Sequence, residues 1–449
     1  MAGAAGRGGR GVTARRVVII GAGSAGAVLA ARLSERPDRH VTLLEAGPDH
    51  RAAETPPEIS GPSFALAKEL PDRHWAHLMA TRAPGQEPRV YTRGRGVGGS
   101  SAINALVALP GHPDDYDEWE RVHGCAGWGW NDVAPWFART SLVVHRAARA
   151  EWGPVNRALA DAVPEATHGV ELTRDSAGRR VSVNDAYLEP ARERRNLEVR
   201  GDALVDVVLF EGRRAVGVRL VDGSELEADL VIVSAGAIHS PALLLRSGVD
   251  TPGVGEGLHD HPSVAFPVLL REPAPMGSLS VGTLAQLSSG AEPQDLQLLA
   301  IDAIEATMPT LGLVMVALMR SHSRGSVRLA STDPTVDPVV DFAMLADERD
   351  WVPLRVGLDI AERVMTSPAM TGLGDIVPTA TDIASVRAAL GDYVHAAGTC
   401  AMGRVVDTAC RLIGYEGVMV CDASVMPVAP RANTHLPTVM IAERIADRV

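Results

Sequence analysis

The sequence predicts an α/β fold in which both ends of the chain build a parallel, dinucleotide-type sheet and the middle supplies an antiparallel sheet with helices. Three observations predict it. Strand-like and helix-like segments alternate along 449 residues without internal repeats. A glycine-rich turn joins the first strand to the first helix, and a late apolar strand ending on an acid returns to the same character. The length allows two domains, and 46% hydrophobic residues supply a sizeable core.

Residues 1–16, MAGAAGRGGRGVTARR, are rich in glycine and arginine and predict a frayed end; the apolar run after them is too short for a signal-peptide core. Residues 17–20 are the first strand. They run into GAGSAG, with Gly21, Gly23 and Gly26, then a small-residue helix from about Ala25, then residues 41–44 ending on Glu45. Glycines here allow a tight turn and close approach of the backbone to a pyrophosphate, the helix N-terminus meets that charge, and Glu45 can take ribose hydroxyls. The unit suits an ADP moiety without a 2′-phosphate. It does not separate NAD from FAD.

Further on, residues 197–200, 203–210 and 215–220 read as successive strands with turns at Gly201-Asp202 and Glu211-Gly212, and residues 230–233 as a buried strand. Between 262 and 341, apolar segments such as 297–301, 313–318 and 325–329 predict an antiparallel sheet, followed by a helix over 348–365. Residues 418–421 are a short strand capped by Asp422. Residues 437–448 are a helix with proline at its start, where the missing N–H costs nothing.

Composition narrows the function. A net charge of −12 disfavours nucleic acid and anionic membrane surfaces as partners. Nearly all 43 basic residues are arginine, with Lys68 the sole lysine, which reads as genomic bias. Cys125, Cys400, Cys410 and Cys421 show neither C-x-x-C pairing nor metal spacing, as expected of reduced, buried thiols in a cytoplasmic protein. No apolar run reaches the roughly 20 residues of a spanning helix, which leaves at most peripheral contact with the inner face of a membrane.

A second glycine-rich loop, GRGVGGSSAIN at residues 94–104, precedes DDYDEWE (114–120) and GWGWNDVAPWF (127–137). Together with GAIHSPALLLRSGV (236–249), GVGEGLHDHP (253–262), SRGSVRL (323–329), HAAGTCAMG (395–403), DASVMP (422–427) and NTHLPTVMIAERIAD (433–447), it resembles the glucose-methanol-choline family of FAD-dependent oxidoreductases. The resemblance covers nearly the whole chain in the family's order and implies FAD rather than NAD. Asp250 and Gly257 depart from residues usual in that family, which bears on loop geometry. The short, lysine-poor chain looks similar to actinobacterial members associated with the peptide-derived redox cofactor mycofactocin.

The resemblance implies an FAD-binding domain over 14–261, with inserted substrate-cap segments near 55–90 and 138–190. A substrate-binding domain follows over 262–385, and the second part of the FAD-binding domain over 386–449. It implies FAD contacts, non-covalent, at Gly21, Gly23, Ser24, Ala25, Gly26, Glu45, Ala46, Arg95, Val97, Gly99, Ser100, Asn104, Val205, Asp422, Ala423, His435, Pro437 and Thr438. Val205 matches a position whose backbone meets adenine, and Ser100 and Asn104 match contacts near flavin N5. In the family the terminal helix points its N-terminus at the flavin, so Thr438 and its successors would donate where Pro437 has no N–H.

Oxidising an alcohol takes a hydride from carbon and a proton from oxygen, and histidine suits the proton because its ordinary pKa of about 6.5 lies near working pH. Of the 14 histidines, His395 and His435 match the family's catalytic pair; sequence does not say which is the base. His259 and His261 of HDH read as structural rather than as a metal pair, and no metal is expected. His322 is given no role.

The function expected is a dehydrogenase acting on a CH–OH donor, with reduced mycofactocin as the donor and a respiratory acceptor. The alternatives are a choline-like or other small-alcohol dehydrogenase or oxidase, and a flavin-containing hydroxynitrile lyase. Aromatic residues at 4% supply no evident cage for a quaternary ammonium group.

Overall fold

The computed structural model describes residues 14–275 and 279–449. A five-stranded parallel sheet runs in the order Val418–Val420, Leu230–Val233, Arg15–Ile20, Arg39–Leu44, Leu197–Arg200. Its inner strands are β-branched and leucine-rich runs buried on both faces, as a covered parallel sheet requires. The two ends of the chain therefore meet in one sheet. Residues 1–13 of the expected frayed end lie outside the described residues, whereas Arg15 and Arg16 already belong to the first strand. Arg16 N donates to Asp229 Oδ2 at 2.8 Å and its guanidinium pairs with Glu227 and Asp229, which ties down a segment whose composition alone suggests fraying.

The first helix, Gly26–Leu33, is buried on nearly every residue and packs on the last, His435–Arg448. Arg32 makes two 2.9 Å hydrogen bonds to the fully buried Glu443 carboxylate, which also accepts from Tyr187 Oη at 2.8 Å. That pair spans 411 positions of sequence and fastens the C-terminal helix beside the glycine turn.

A six-stranded antiparallel sheet runs in the order Gly374–Ile376, Ser263–Leu270, Leu311–Leu318, Leu296–Ile301, Thr283–Leu287, Thr167–Gly169. Alternation along its central strands divides its two faces. Leu298, Ala300, Val314 and Val316 join the core under the helix Trp351–Met365, while Leu299, Ile301 and Leu313 point the other way. Residues 325–329, expected in this sheet, lie elsewhere: Gly325–Arg328 pairs with Glu256–Leu258 and Val339–Asp341 in a separate five-stranded sheet. Asp350 causes the departure, since its buried carboxylate accepts from His322 N, Ser323 N and Ser323 Oγ and turns the chain away. That sheet is completed by Met79–Thr81 and Arg89–Val90.

Among the described residues no helix is long and apolar enough to cross a membrane, and the four cysteines are buried and unpaired.

Candidate functional site

The carboxyl ends of four parallel strands open onto a cavity of about 480 Å³, the place where open α/β sheets bind ligands. Gly21, Glu45, Ser234 and Asp422 each follow a strand of that sheet and line the cavity. The opposite wall is the outer face of the antiparallel sheet, with Leu299, Ile301, Leu313 and Met315.

The glycine turn is held by packing as well as by backbone freedom. A Cβ on Gly26 would sit 1.8 Å from Gly21 O, so only glycine lets the first helix start this close to the strand. Gly99 of the second loop has φ +49°, and a Cβ there would lie 2.7 Å from Gly23 Cα. The two loops are therefore in backbone contact, joined also by Gly98 N donating to Ala22 O at 2.9 Å. Glu45 is the clasp: its carboxylate accepts from Ala22 N at 2.8 Å, Gly47 N at 3.0 Å and Gly96 N at 2.8 Å. Burial pushes its pKa up while those three amides pull it back.

Gly23, Ser24, Ala25, Ala46, Gly99 and Ser100 line the same cavity. The N-terminus of the first helix carries no side-chain cap at Ala25, leaving amides free for an anion. Asn104, Val205 and Ala423 also reach the cavity. Four expected contacts do not. Gly26 and Val97 are buried behind the loops, Arg95 donates to Ala46 O at 2.8 Å and lies over Trp75, and Pro437 sits inside the terminal helix. They shape the site from behind.

Thr438 lines the cavity, but its amide is not free: it donates to Thr434 O at 3.0 Å. The helix begins at His435, two residues before the expected start, so the N–H groups without an intrahelical partner are those of His435 and Leu436. Asn104 is fixed by a residue that sequence reasoning missed. Arg180 donates to Asn104 Oδ1 at 2.8 Å, to Asn104 O at 2.7 Å and to Ile59 O at 2.8 Å. Burial lowers the Arg180 pKa to about 9.

His395 and His435 line one cavity and are 8% exposed each, but they do not hydrogen-bond to one another. His435 Nδ1 meets Ser24 Oγ at 2.9 Å, and its Nε2 is buried without a partner. His395 Nε2 instead faces Asn433 Nδ2 at 3.2 Å, and its Nδ1 faces His261 Nδ1 at 3.2 Å. Burial, with nearby His261 and Arg93, holds His395 well below its ordinary pKa; burial holds His435 at about 4 and His261 at about 3. All three imidazoles are therefore neutral at working pH.

His261 was expected to be structural and instead touches His395. His259 keeps the structural part, with Nδ1 2.8 Å from Gly257 O and Nε2 accepting from Ala429 N at 2.9 Å. Asp260 between them accepts from His261 N at 2.6 Å, His395 N at 3.0 Å and Tyr91 Oη at 2.8 Å, while Ala396 N donates to Tyr91 Oη. One carboxylate thus pins both histidine backbones. Its pKa rises to about 7, through burial first and Asp392 second. Asp260, His261 and His395 also bring possible metal-ligand atoms within 4.8 Å of one another, but the two carboxylate oxygens already accept the three hydrogen bonds just described. A signal for Asn433 lay in the sequence, two residues before His435; HDH marked His261 but not its neighbour, and none pointed to Arg180, which tertiary contacts alone bring in.

Two family models described as GMC oxidoreductase match the chain, one over residues 16–166 and 138–263 and the other over residues 321–442. The 5-(hydroxymethyl)furfural oxidase of Methylovorus sp. (strain MP688) is 33% identical, covering 96% of this chain and 98% of the relative. Human mitochondrial choline dehydrogenase is 32% identical, covering 96% and 89%. Among solved structures, pyridoxine 4-oxidase from Mesorbium loti superposes with a TM-score of 0.87 at 26% identity, covering 97% of this chain and 99% of that one.

Proposed function

The chain belongs to the GMC oxidoreductase family, and from that premise we propose that it is an FAD-dependent enzyme that oxidises a CH–OH donor, with His395 as the proton acceptor. The observation that carries this is His395 Nε2 lying 3.2 Å from Asn433 Nδ2, in a cavity with a dinucleotide cradle on one side and an apolar wall on the other. The cavity suits FAD. It offers two glycine loops packed backbone to backbone, a helix N-terminus without a cap, and the buried, unpartnered His435 Nε2 and Asn433 Oδ1.

Bound FAD supplies the hydride acceptor. Amides near Ser24 and Ala25 would hold the pyrophosphate, and Glu45 would take a ribose hydroxyl with the acceptor capacity its three amides leave. His435 ties the terminal helix to Ser24, and the amides of His435 and Leu436 at the helix N-terminus would favour negative charge on a bound flavin. His395 Nε2 takes the hydroxyl proton while Asn433 Nδ2 holds the substrate oxygen. Residues 94–104 contain no histidine, which agrees with non-covalent FAD.

The donor surface is apolar. Leu299, Ile301, Leu313 and Val107 share a cluster with Tyr393, whose ring lies 4.9 Å from that of His395. This favours an uncharged alcohol over a quaternary ammonium group. Reduced mycofactocin is the donor we assign first, with onward transfer to a respiratory acceptor, on the likeness of the short, lysine-poor chain to mycofactocin-associated members. The test is an anaerobic absorbance titration of the holoenzyme with reduced mycofactocin, 5-(hydroxymethyl)furfural, pyridoxine and choline, followed by air. Selective bleaching by an uncharged alcohol supports the reading, slow reoxidation marks a dehydrogenase, and fast reoxidation an oxidase. Bleaching by choline alone overturns the donor class; bleaching by none overturns the function.

A further inference from the structure

We propose that His261 is a positioning residue that keeps His395 in the tautomer able to take a proton. The inference rests on His395 being the proton acceptor. A neutral imidazole carries one proton on one of two nitrogens, and only the bare nitrogen is a base. Nε2 of His395 is the nitrogen beside Asn433 in the cavity, so it must be bare and Nδ1 must carry the proton. That proton needs an acceptor. The only polar side-chain atom within hydrogen-bond distance of His395 Nδ1 among the described residues is His261 Nδ1, at 3.2 Å.

His261 accepts at Nδ1 when its own proton sits on Nε2. That atom is buried and has no partner among the described residues. The contact to His395 Nδ1 is the one hydrogen bond that the His261 side chain makes among the described residues, so its geometry is set by His395. The two rings are also oriented from outside the pair. They meet edge to face with centroids 5.2 Å apart, His261 N and His395 N both donate to Asp260, and Tyr393 packs on both. When the substrate proton arrives at His395 Nε2, the Nδ1 proton stays where it was, bonded to His261, and no further proton moves. His261 does not line the cavity and acts through His395 alone.

Asparagine places an acceptor oxygen near the position of Nδ1, whereas leucine offers none. The holoenzyme and its His261→Asn, His261→Leu and His395→Ala variants are compared by anaerobic single-turnover flavin bleaching with the donor found above. The ¹⁵N resonances of the imidazoles are recorded in parallel, with His395 assigned from its variant. The expected result is a 10- to 100-fold slower reduction in H261L, recovery to within about 5-fold in H261N, and unchanged flavin content in both. The spectrum should show the His395 proton on Nδ1 in the native protein and a shift of population to Nε2 in H261L. A native His395 protonated on Nε2 would overturn the proposal. So would H261L within twofold of native while H395A is inactive, or equal losses in H261N and H261L. An H395A variant that reduces flavin at the native rate would sink the assignment of the base itself, and this proposal with it.

Discussion

At the scale of single residues, the account turns on which groups flank His395. Asn433 and His435 are two positions apart, yet one faces His395 Nε2 and the other faces Ser24 of the glycine turn. Their substitutions should therefore separate. Asn433→Ala should slow flavin reduction by about 10²-fold with flavin retained, the ordinary worth of a group acting at the proton-transfer step. His435→Ala should chiefly lower flavin content, because it removes the hydrogen bond that links the start of the terminal helix to Ser24 of the turn. Flavin absorbance per protein together with single-turnover rates distinguishes the two; equal effects on both readouts would contradict the division. The family resemblance singled out His395 and His435, which both line the cavity, and it missed that His261, 134 positions from His395, is its neighbour. Hydrogen-bond partners across that distance are set by how strands from different sheets meet, and no local pattern encodes them.

At the scale of elements, the strand, GAGSAG turn, helix, strand and Glu45 were legible because each step is local: a β-branched run, glycines where a Cβ would clash, an uncapped helix and an acid at the strand end. The start of the terminal helix was less legible. Proline at N1 is the commoner arrangement, but here Pro437 is the third helical residue and His435 the first. Docking of this helix depends on Arg32 and Glu443. Arg32→Met should destabilise the protein by about 3 kcal/mol, because it leaves the fully buried Glu443 without its cation. The double variant Arg32→Met, Glu443→Met should recover much of that loss, since no charge is then orphaned and Tyr187 Oη keeps its contacts to Thr140 and Ser141 N. Denaturant midpoints decide it, and a double variant less stable than Arg32→Met would contradict the account.

At the scale of the whole molecule, burial of titratable groups makes stability depend on pH. His50, His168, His259, His261, His395 and His435 are all held below their ordinary pKa in the folded state. Each stabilises the fold above about pH 6.5 and loses that contribution as the pH falls, because the unfolded chain takes up the proton first. Glu45, Asp260 and Asp302 are held above theirs and act in the opposite direction. The imidazoles outnumber the carboxyls, so the thermal midpoint should fall between pH 7 and pH 5; a midpoint that rises over that interval would contradict the balance. The same packing brings both chain ends to one sheet and sets the antiparallel wall across from it, which is why the cavity exists at all. The glycine turn and the late strand near Asp422 made the meeting of the ends legible in the sequence. The position of residues 325–328 was not, because a buried carboxylate from a distant helix start redirects the chain.

The most direct measurement of the central claim is the anaerobic rate at which a competent CH–OH donor bleaches the flavin in His395→Ala, measured at matched flavin content. The account predicts a rate lower by about 10³-fold, within the range lost when a positioned proton acceptor is removed. A rate within twofold of the native protein would mean that the hydroxyl proton leaves by another route and that His395 is not the base.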